Sequence, residues 1–271
     1  VTESRYVAAL EAHDAGDLDR AETLLREVME AEPDRARVKS NLARVLVDGR
    51  RFPEAIRLAK RGVALAPDDL YVHALLVEVL SSAGREDEAI EAASHVPSPK
   101  DGEEGMAARV KIAVASARLA RDDDAGALSD ALVAVRYAPE SADAHLVLAR
   151  ALAIANRLGD AVKAIARARE IAPGADAIAE IASVIDEAIA NAEGMLAEAE
   201  DAPRAIEDWI TIAALRLALG RTDAGIDALD RAVALDRENP EVWLARGEVL
   251  RRAGVFPLDV AAYHEAERLR G

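Results

Sequence analysis

One interval recurs through this 271-residue chain and limits its fold more than any other feature. Pro33 and Pro67 stand 34 residues apart, as do Pro139 and Pro173, and Trp209 and Trp243. Twelve residues before each of those four prolines lies an alanine: Ala21, Ala55, Ala127 and Ala161. A fixed period in this range marks an array of repeats, in which each unit buries its apolar face on its neighbours rather than in a central core. Within one period the apolar residues fall at i, i+3, i+4 and i+7 twice over. A short turn with Gly or Asp separates the two runs, and a proline-centred break follows. Each period therefore reads as two helices.

Composition supports helix throughout. Hydrophobic residues make up 51% of the chain, but only eight residues are aromatic, and 15 glycines and 10 prolines are too few for an all-β protein with a turn every ten residues or so. Cysteine is absent, which excludes disulfide staples and thiolate chemistry. With 34 basic against 50 acidic side chains the formal charge is −16, so nucleic acid and anionic lipid surfaces are repelled on average. No apolar run nears the roughly 20 residues that cross a bilayer, and VTESRYVAALEAHD has neither a basic nor an apolar leader region. These features lead to the expectation of a cytoplasmic protein, although a chain beginning at Val1 is open to having lost a preceding segment. Arginine outnumbers lysine 29 to five, which suggests a GC-rich bacterial source.

The residues at fixed places in each period resemble the tetratricopeptide repeat (TPR) family. Trp243, Gly247 and Leu250 match the first half of its pattern, as do Trp209, Ile212 and Ala213; Ala21, Leu25 and Pro33 match the second half, as do Ala161, Ile165 and Pro173. The resemblance implies an all-α fold, a right-handed α-solenoid of helix-turn-helix repeats. Small residues have a physical task in such a stack. Ala21, Ala55, Ala89, Ala127, Ala161 and Gly247 set how closely the first helix (A) of a unit crosses the second (B). Leu25, Leu46, Leu80, Leu152 and Leu219 provide the complementary bulk. Proline closes helix B because it cannot continue a helix and holds the preceding residue extended.

Units fall near 2–35, 36–69, 70–97, 106–141, 142–175, 206–239 and 240–271. The expected organisation is one continuous solenoid domain: units 1–3 over 1–97, a loop insertion at 98–105, units 4–5 over 106–175, a degenerate helical unit at 176–205 and units 7–8 over 206–271. The Ala89-to-Ala127 interval is 38 instead of 34, and the surplus lies in Pro97–Gly105, whose composition is that of a flexible, protease-sensitive loop. Residues 176–205 keep a helical spacing without a clear central turn, compatible with one long helix or with a hairpin bent near Asn191 or Gly194.

No constellation points to catalysis. His13, His73, His95, His145 and His264 are scattered, with no i, i+4 metal pair, and each reads as a surface or partly packed imidazole. There is no GxGxxG, P-loop or GxSxG. Asp122, Asp123 and Asp124 lack the later Gly and Glu of an EF-hand loop and read as a solvated turn capping a B helix. Trp209 and Trp243 occupy the family's structural tryptophan place and are expected to pack between repeats. The chain is thus expected to be no enzyme, with no cofactor and no metal.

The family's arrangement lines a concave groove with A helices. Its groove-facing residues here would be Tyr6, Leu10, Arg37, Ser40, Asn41, Arg44, Tyr71, Glu78, Arg109, Ser116, Leu146 and Arg150. The four arginines stand open to two readings: a basic stripe gripping the carboxylates of an acidic peptide, or local pairing with Glu and Asp of neighbouring units. Asn41 matches one place of the chaperone-binding carboxylate clamp, but Tyr6, Leu10, Tyr71 and Leu75 hold the other places, so the clamp is absent. The asparagine ladder of the O-linked sugar transferase kind is absent too, because Val7, Leu75, Ala113, Val147, Thr211 and Ala245 stand at its rungs. Asn41 is left with peptide-backbone binding or local bonding. A stretch with eight acids against one base, Asp186 to Asp208, reads first as a solvated face and second as a docking site for a basic partner. The final helix, carrying Val260, Ala261, Tyr263 and Ala266, lacks a polar capping helix after it, which opens self-association through the C-terminal unit. The expected function is a non-catalytic scaffold or adaptor that binds a protein or peptide in its groove. The alternative is a ligand-responsive sensor controlling an attached or associated enzyme or DNA-binding protein.

Overall fold

The computed structural model describes residues 2–203 and 205–271, and among them the chain forms fifteen α-helices and no strand. They run α1 (Thr2–Asp14), α2 (Leu18–Ala31), α3 (Ala36–Asp48), α4 (Phe52–Leu65), α5 (Leu70–Ser82), α6 (Glu86–Ser94), α7 (Glu104–Leu119) and α8 (Asp124–Tyr137). After these come α9 (Ala142–Ile154), α10 (Leu158–Ile171), α11 (Asp176–Glu200), α12 (Ile206–Ala218), α13 (Thr222–Leu235), α14 (Pro240–Arg252) and α15 (Leu258–Arg270). The helices form two compact units, Val1–Val147 and Leu148–Gly271, whose boundary falls inside α9 and at neither of the register breaks. Within the first unit, A helices α1, α3, α5 and α7 contact one another in succession, and α2, α4 and α6 each contact the A helix that follows. In the second, α12 contacts α14, and α13 lies against α14. This is the all-α repeat stack that the 34-residue period calls for.

Both turns of each repeat have a repeated chemical cause. Between A and B, one residue takes a positive φ: Gly16, Arg50, Gly84, Asp122, Asn156, Gly220 and Gly254. The next amide then donates back to a carbonyl five residues earlier, as Arg51 does to Leu46, Arg85 to Leu80 and Arg157 to Leu152. This is the glycine-favouring helix stop, used even where the residue is not glycine. Asp123 caps α8 by accepting from the Gly126 amide at 3.1 Å, which accounts for the acidic run as a turn.

At the other turn, Pro33, Pro67, Pro139 and Pro173 directly follow the residue that caps the end of helix B, Glu32, Ala66, Ala138 and Ala172, each with φ between −128° and −140°. The turn's carbonyl is then capped from the next A helix. His73 Nε2 donates to Pro67 O and His145 Nε2 to Pro139 O, both at 2.9 Å; Lys39 bonds Pro33 O, and Trp243 Nε1 donates to Arg237 O at 2.9 Å. His73 and His145 are therefore buried carbonyl caps in the family's tryptophan place, which their scatter in sequence did not reveal. Trp209 and Trp243 are half-buried against the cluster of Ala232, Val233 and Val242.

Small residues sit where the helices cross. Ala21, Ala55, Ala89, Ala127 and Ala161 on the B helices have no exposure, and neither do Ala9, Ala43, Ala115, Ala149 and Ala213 on the A helices. Leu25, Leu42, Leu46, Leu75 and Leu80 fill the space between crossings in the first unit. Charge also laces neighbouring hairpins of the first unit to one another. Arg26 and Arg51 both bind Glu22 and Glu54, joining α2 to α4 and holding both carboxyls below their ordinary value of 4.5.

Both irregular segments take definite form. The expected loop at 98–105 ends earlier than anticipated, because α7 begins at Glu104. Residues 176–200 form one continuous helix of 25 residues, α11, with Asn191 and Gly194 inside it, which removes the bent-hairpin alternative. One buried stripe, Ile178, Ala182, Ile185, Ala192 and Leu196, needs no break to stay on one face. Where α10 begins, Gly159 meets the α12–α13 turn: a Cβ there would stand 2.6 Å from the Gly220 Cα. In an ordinary helix, Gly→Ala stabilises by about 1 kcal/mol. Here Gly159→Ala is expected to destabilise by about 1–3 kcal/mol, because backbone blocks the methyl. Arg50→Gly, relieving a positive φ, is expected to raise stability by up to about 1 kcal/mol. Urea unfolding checks both, and a stabilised Gly159→Ala variant would contradict the contact.

Candidate functional site

The A helices of the first unit present residues seven apart on one face: Arg37 and Arg44 on α3, Tyr71 and Glu78 on α5, Arg109 and Ser116 on α7. Arg44, Asp48, Glu78, Arg109, Ser116 and Asp143 border a cavity of about 400 Å³, with Val47, Val79 and Ile112 forming its apolar wall. Four of the expected groove residues thus converge: Arg44, Glu78, Arg109 and Ser116.

The others do different work. Asn41 is 1% exposed and links three helices: its Nδ2 donates to Tyr6 Oη on α1 and to the Arg37 carbonyl, both at 2.8 Å, while its Oδ1 accepts from Tyr71 Oη on α5 at 2.7 Å. The expectation that Asn41 lines an open groove is corrected, since local bonds use its amide. Tyr6 is buried in the same chain of bonds. Burial and the neighbouring Tyr71 push its phenol above the ordinary value of 10.0, against the opposing pull of Arg35 and Arg37. The Arg35 guanidinium lies 4.2 Å from the centre of the Tyr6 ring. Ser40 is corrected as well: it is fully buried and faces Gly62 on α4, where a Cβ would collide with its Oγ, so it points away from the groove.

Two of the four arginines are held by carboxylates of α5 or of the residue that caps it. Arg37 grips Asp69 with Nε at 2.8 Å and Nη2 at 3.2 Å, and its guanidinium lies 5.0 Å from the centre of the Tyr71 ring. Burial raises the Asp69 pKa, but Arg37 and the Tyr71 amide outweigh it and hold the carboxyl below its usual value. Arg109 makes the same fork on Glu78, both bonds at 2.6 Å. Arg44 is different. Half-buried, it makes no ion pair with a carboxylate among the described residues. Its Nη2 lies 3.3 Å from His13 Nδ1, and its Nε is buried without an acceptor. His13 Nε2 in turn lies 2.7 Å from Asp48 Oδ2, and its Nδ1 lies 3.6 Å from Asp14 Oδ1. Arg150 is exposed, belongs to the second unit, and borders a separate cavity with Ile154, Ile181 and Val184.

The sequence reading missed Asp69, Asp48, Asp143 and His13. A signal existed only for Asp69, whose place as the cap of α5, accepting from the Tyr71 amide at 3.0 Å, is that of a helix start.

With this geometry in view, comparison with known proteins is direct. Tetratricopeptide repeat models match residues 12–76, 115–176 and 206–249, together more than half of the chain. The chain belongs to the tetratricopeptide repeat family, and its repeats form a protein-interaction scaffold. The unmatched stretches between these segments contain both register breaks. Among solved structures it is similar to PilW, described as a widely conserved type IV pilus biogenesis factor, at 13% identity and a TM-score of 0.56 over 86% of this chain and 93% of that one. It is similar also to PilF of Pseudomonas aeruginosa, at 14% identity and a TM-score of 0.55 over 91% and 97%. At these identities the likeness is one of fold. No curated protein matches the sequence. Among the described residues no helix is long and apolar enough to cross a membrane.

The Tyr6–Asn41–Tyr71 chain makes a measurable claim. Tyr71→Phe removes the donor to a buried amide oxygen and is expected to cost about 1–3 kcal/mol in urea unfolding. A loss below about 0.3 kcal/mol would mean that the bridge contributes nothing.

Proposed function

We propose that this chain is a non-catalytic scaffold that receives a protein or peptide segment along the A-helix face of its first unit, with Arg44 gripping a carboxylate of that segment. The reading is carried by the contrast among the arginines. Arg37 and Arg109 already hold carboxylates, and breaking either pair to bind a ligand gains little, because one charge pair replaces another. Arg44 borders the cavity and, among the described residues, contacts the His13 ring but no carboxylate. Around it lie Asp48, Asp143 and the neutral Arg109–Glu78 pair, so the groove is mixed in charge, not a basic stripe. A partner fitting it carries one acidic group at Arg44 and apolar or basic groups beside it.

Hydrogen bonds to charged groups contribute about 1.5–3 kcal/mol, or roughly 10–100-fold in affinity. Fluorescence anisotropy with a library of singly acidic peptides is therefore expected to yield binders that Arg44→Gln weakens about tenfold or more. Arg37→Gln is expected to change the same binders less than about threefold. Binders insensitive to Arg44→Gln, or a library without binders, would overturn the proposal.

A further inference from the structure

The B helices α2, α4, α8, α10 and α13 each have 14 residues, whereas α6 has nine. Pro97 and Pro99 explain the shortfall, since neither can donate to a helix ladder and each biases the residue before it toward extended backbone. Where the last turn and more of that helix would otherwise pack, a cavity of about 390 Å³ opens among α6, α7 and α8. Ile90, Ala93, Val96, Pro97, Val110 and Val114 give it an apolar wall. It stands apart from the A-helix groove, and no residue lines both.

Three charged groups at the cavity share their bonds unevenly. Lys111 holds the repeat position at which Lys39, His73 and His145 cap a carbonyl six residues back. Six residues before Lys111 is Gly105, already inside α7, so the ammonium turns to Asp130 on α8 at 2.6 Å. Arg118 Nε lies 3.3 Å from the other oxygen of Asp130, yet both atoms are buried and make no hydrogen bond of good geometry. Asp123, on the outer side, lies 3.6 Å from Arg118 with half of its side chain exposed. Lys111 and Arg118 therefore share the buried carboxylate of Asp130, with Asp123 also near Arg118, beside a cavity with one apolar wall and room for a small molecule. The Lys111 and Arg118 side chains stay 37% and 30% exposed, so donors that Asp130 does not use remain within reach of an anionic ligand.

We infer that this cavity binds a small organic monocarboxylate with an aliphatic or aromatic body, its carboxylate between Lys111 and Arg118 and its apolar part against Val96, Val110 and Val114. Isothermal titration of the full chain with octanoate, and with 1-octanol as the uncharged probe of equal length, tests it. Saturable octanoate binding is expected in the range below about 10 mM, with 1-octanol at least about tenfold weaker. Arg118→Gln is expected to weaken octanoate about tenfold. Ala93→Leu restores the bulky side chain that Leu25, Ile165 and Leu229 supply in other repeats, so it fills the cavity while the fold, followed by circular dichroism, is kept. It is expected to abolish binding. Absence of saturation up to about 10 mM, equal binding of 1-octanol, or octanoate affinity unchanged in Ala93→Leu would each overturn the inference.

Discussion

Everything in this structure depends on how closely two helices approach within a repeat. At the crossing, one small side chain from helix A faces another from helix B, and contact at methyl size fixes the distance at which the flanking leucines interlock. Gly225 on α13 shows how little room is left: a methyl there would meet Leu217 Cγ at 2.5 Å and the Ala213 carbonyl at 3.3 Å. The last hairpin departs from the rule. Asp259 holds the place of the crossing alanine, 3% exposed and with Oδ1 lacking a partner, while opposite it Gly247 gives up its side chain to the Tyr263 ring. The hairpin keeps its topology, with α14 and α15 packed on each other.

Features set by residues close in sequence were legible before any coordinates. The crossing alanines, the B-helix prolines and the A–B turns all follow from local chemistry repeated at 34 residues, so the period alone locates them. Features set across repeats were not. That Arg37 binds Asp69 and Arg109 binds Glu78 depends on side chains 31 or 32 residues apart, and a list of groove-facing positions cannot say which of them are already paired. Asn41 likewise reads as a ligand contact until two tyrosines from flanking helices are brought onto it. The continuity of α11 was open for a different reason: its apolar spacing suits one helix or two, and no proline or positive-φ glycine stands in the middle to decide.

Charge distribution ties the fold to its use. A chain with a formal charge of −16 needs its arginines for holding repeats together, as the Glu22–Arg26–Glu54–Arg51 network does between α2 and α4. Arginines spent in this way rigidify the stack. Arg44 at the groove has no carboxylate partner among the described residues and Arg118 beside the shortened α6 shares one, and the binding proposed above rests on these two. On that proposal, stack and binding surfaces draw on the same side chain, and pairing decides which role each copy plays.

The close crossing is tested most directly by enlarging its alanines one at a time. In denaturant unfolding, Ala21→Leu, Ala55→Leu and Ala127→Leu should each lose about 1–3 kcal/mol, while Ala190→Leu and Ala197→Leu, on the exposed face of α11, should change by less than about 0.5 kcal/mol. Equal effects in the two groups would show that the crossing tolerates bulk and that something other than methyl contact sets the spacing of the repeats.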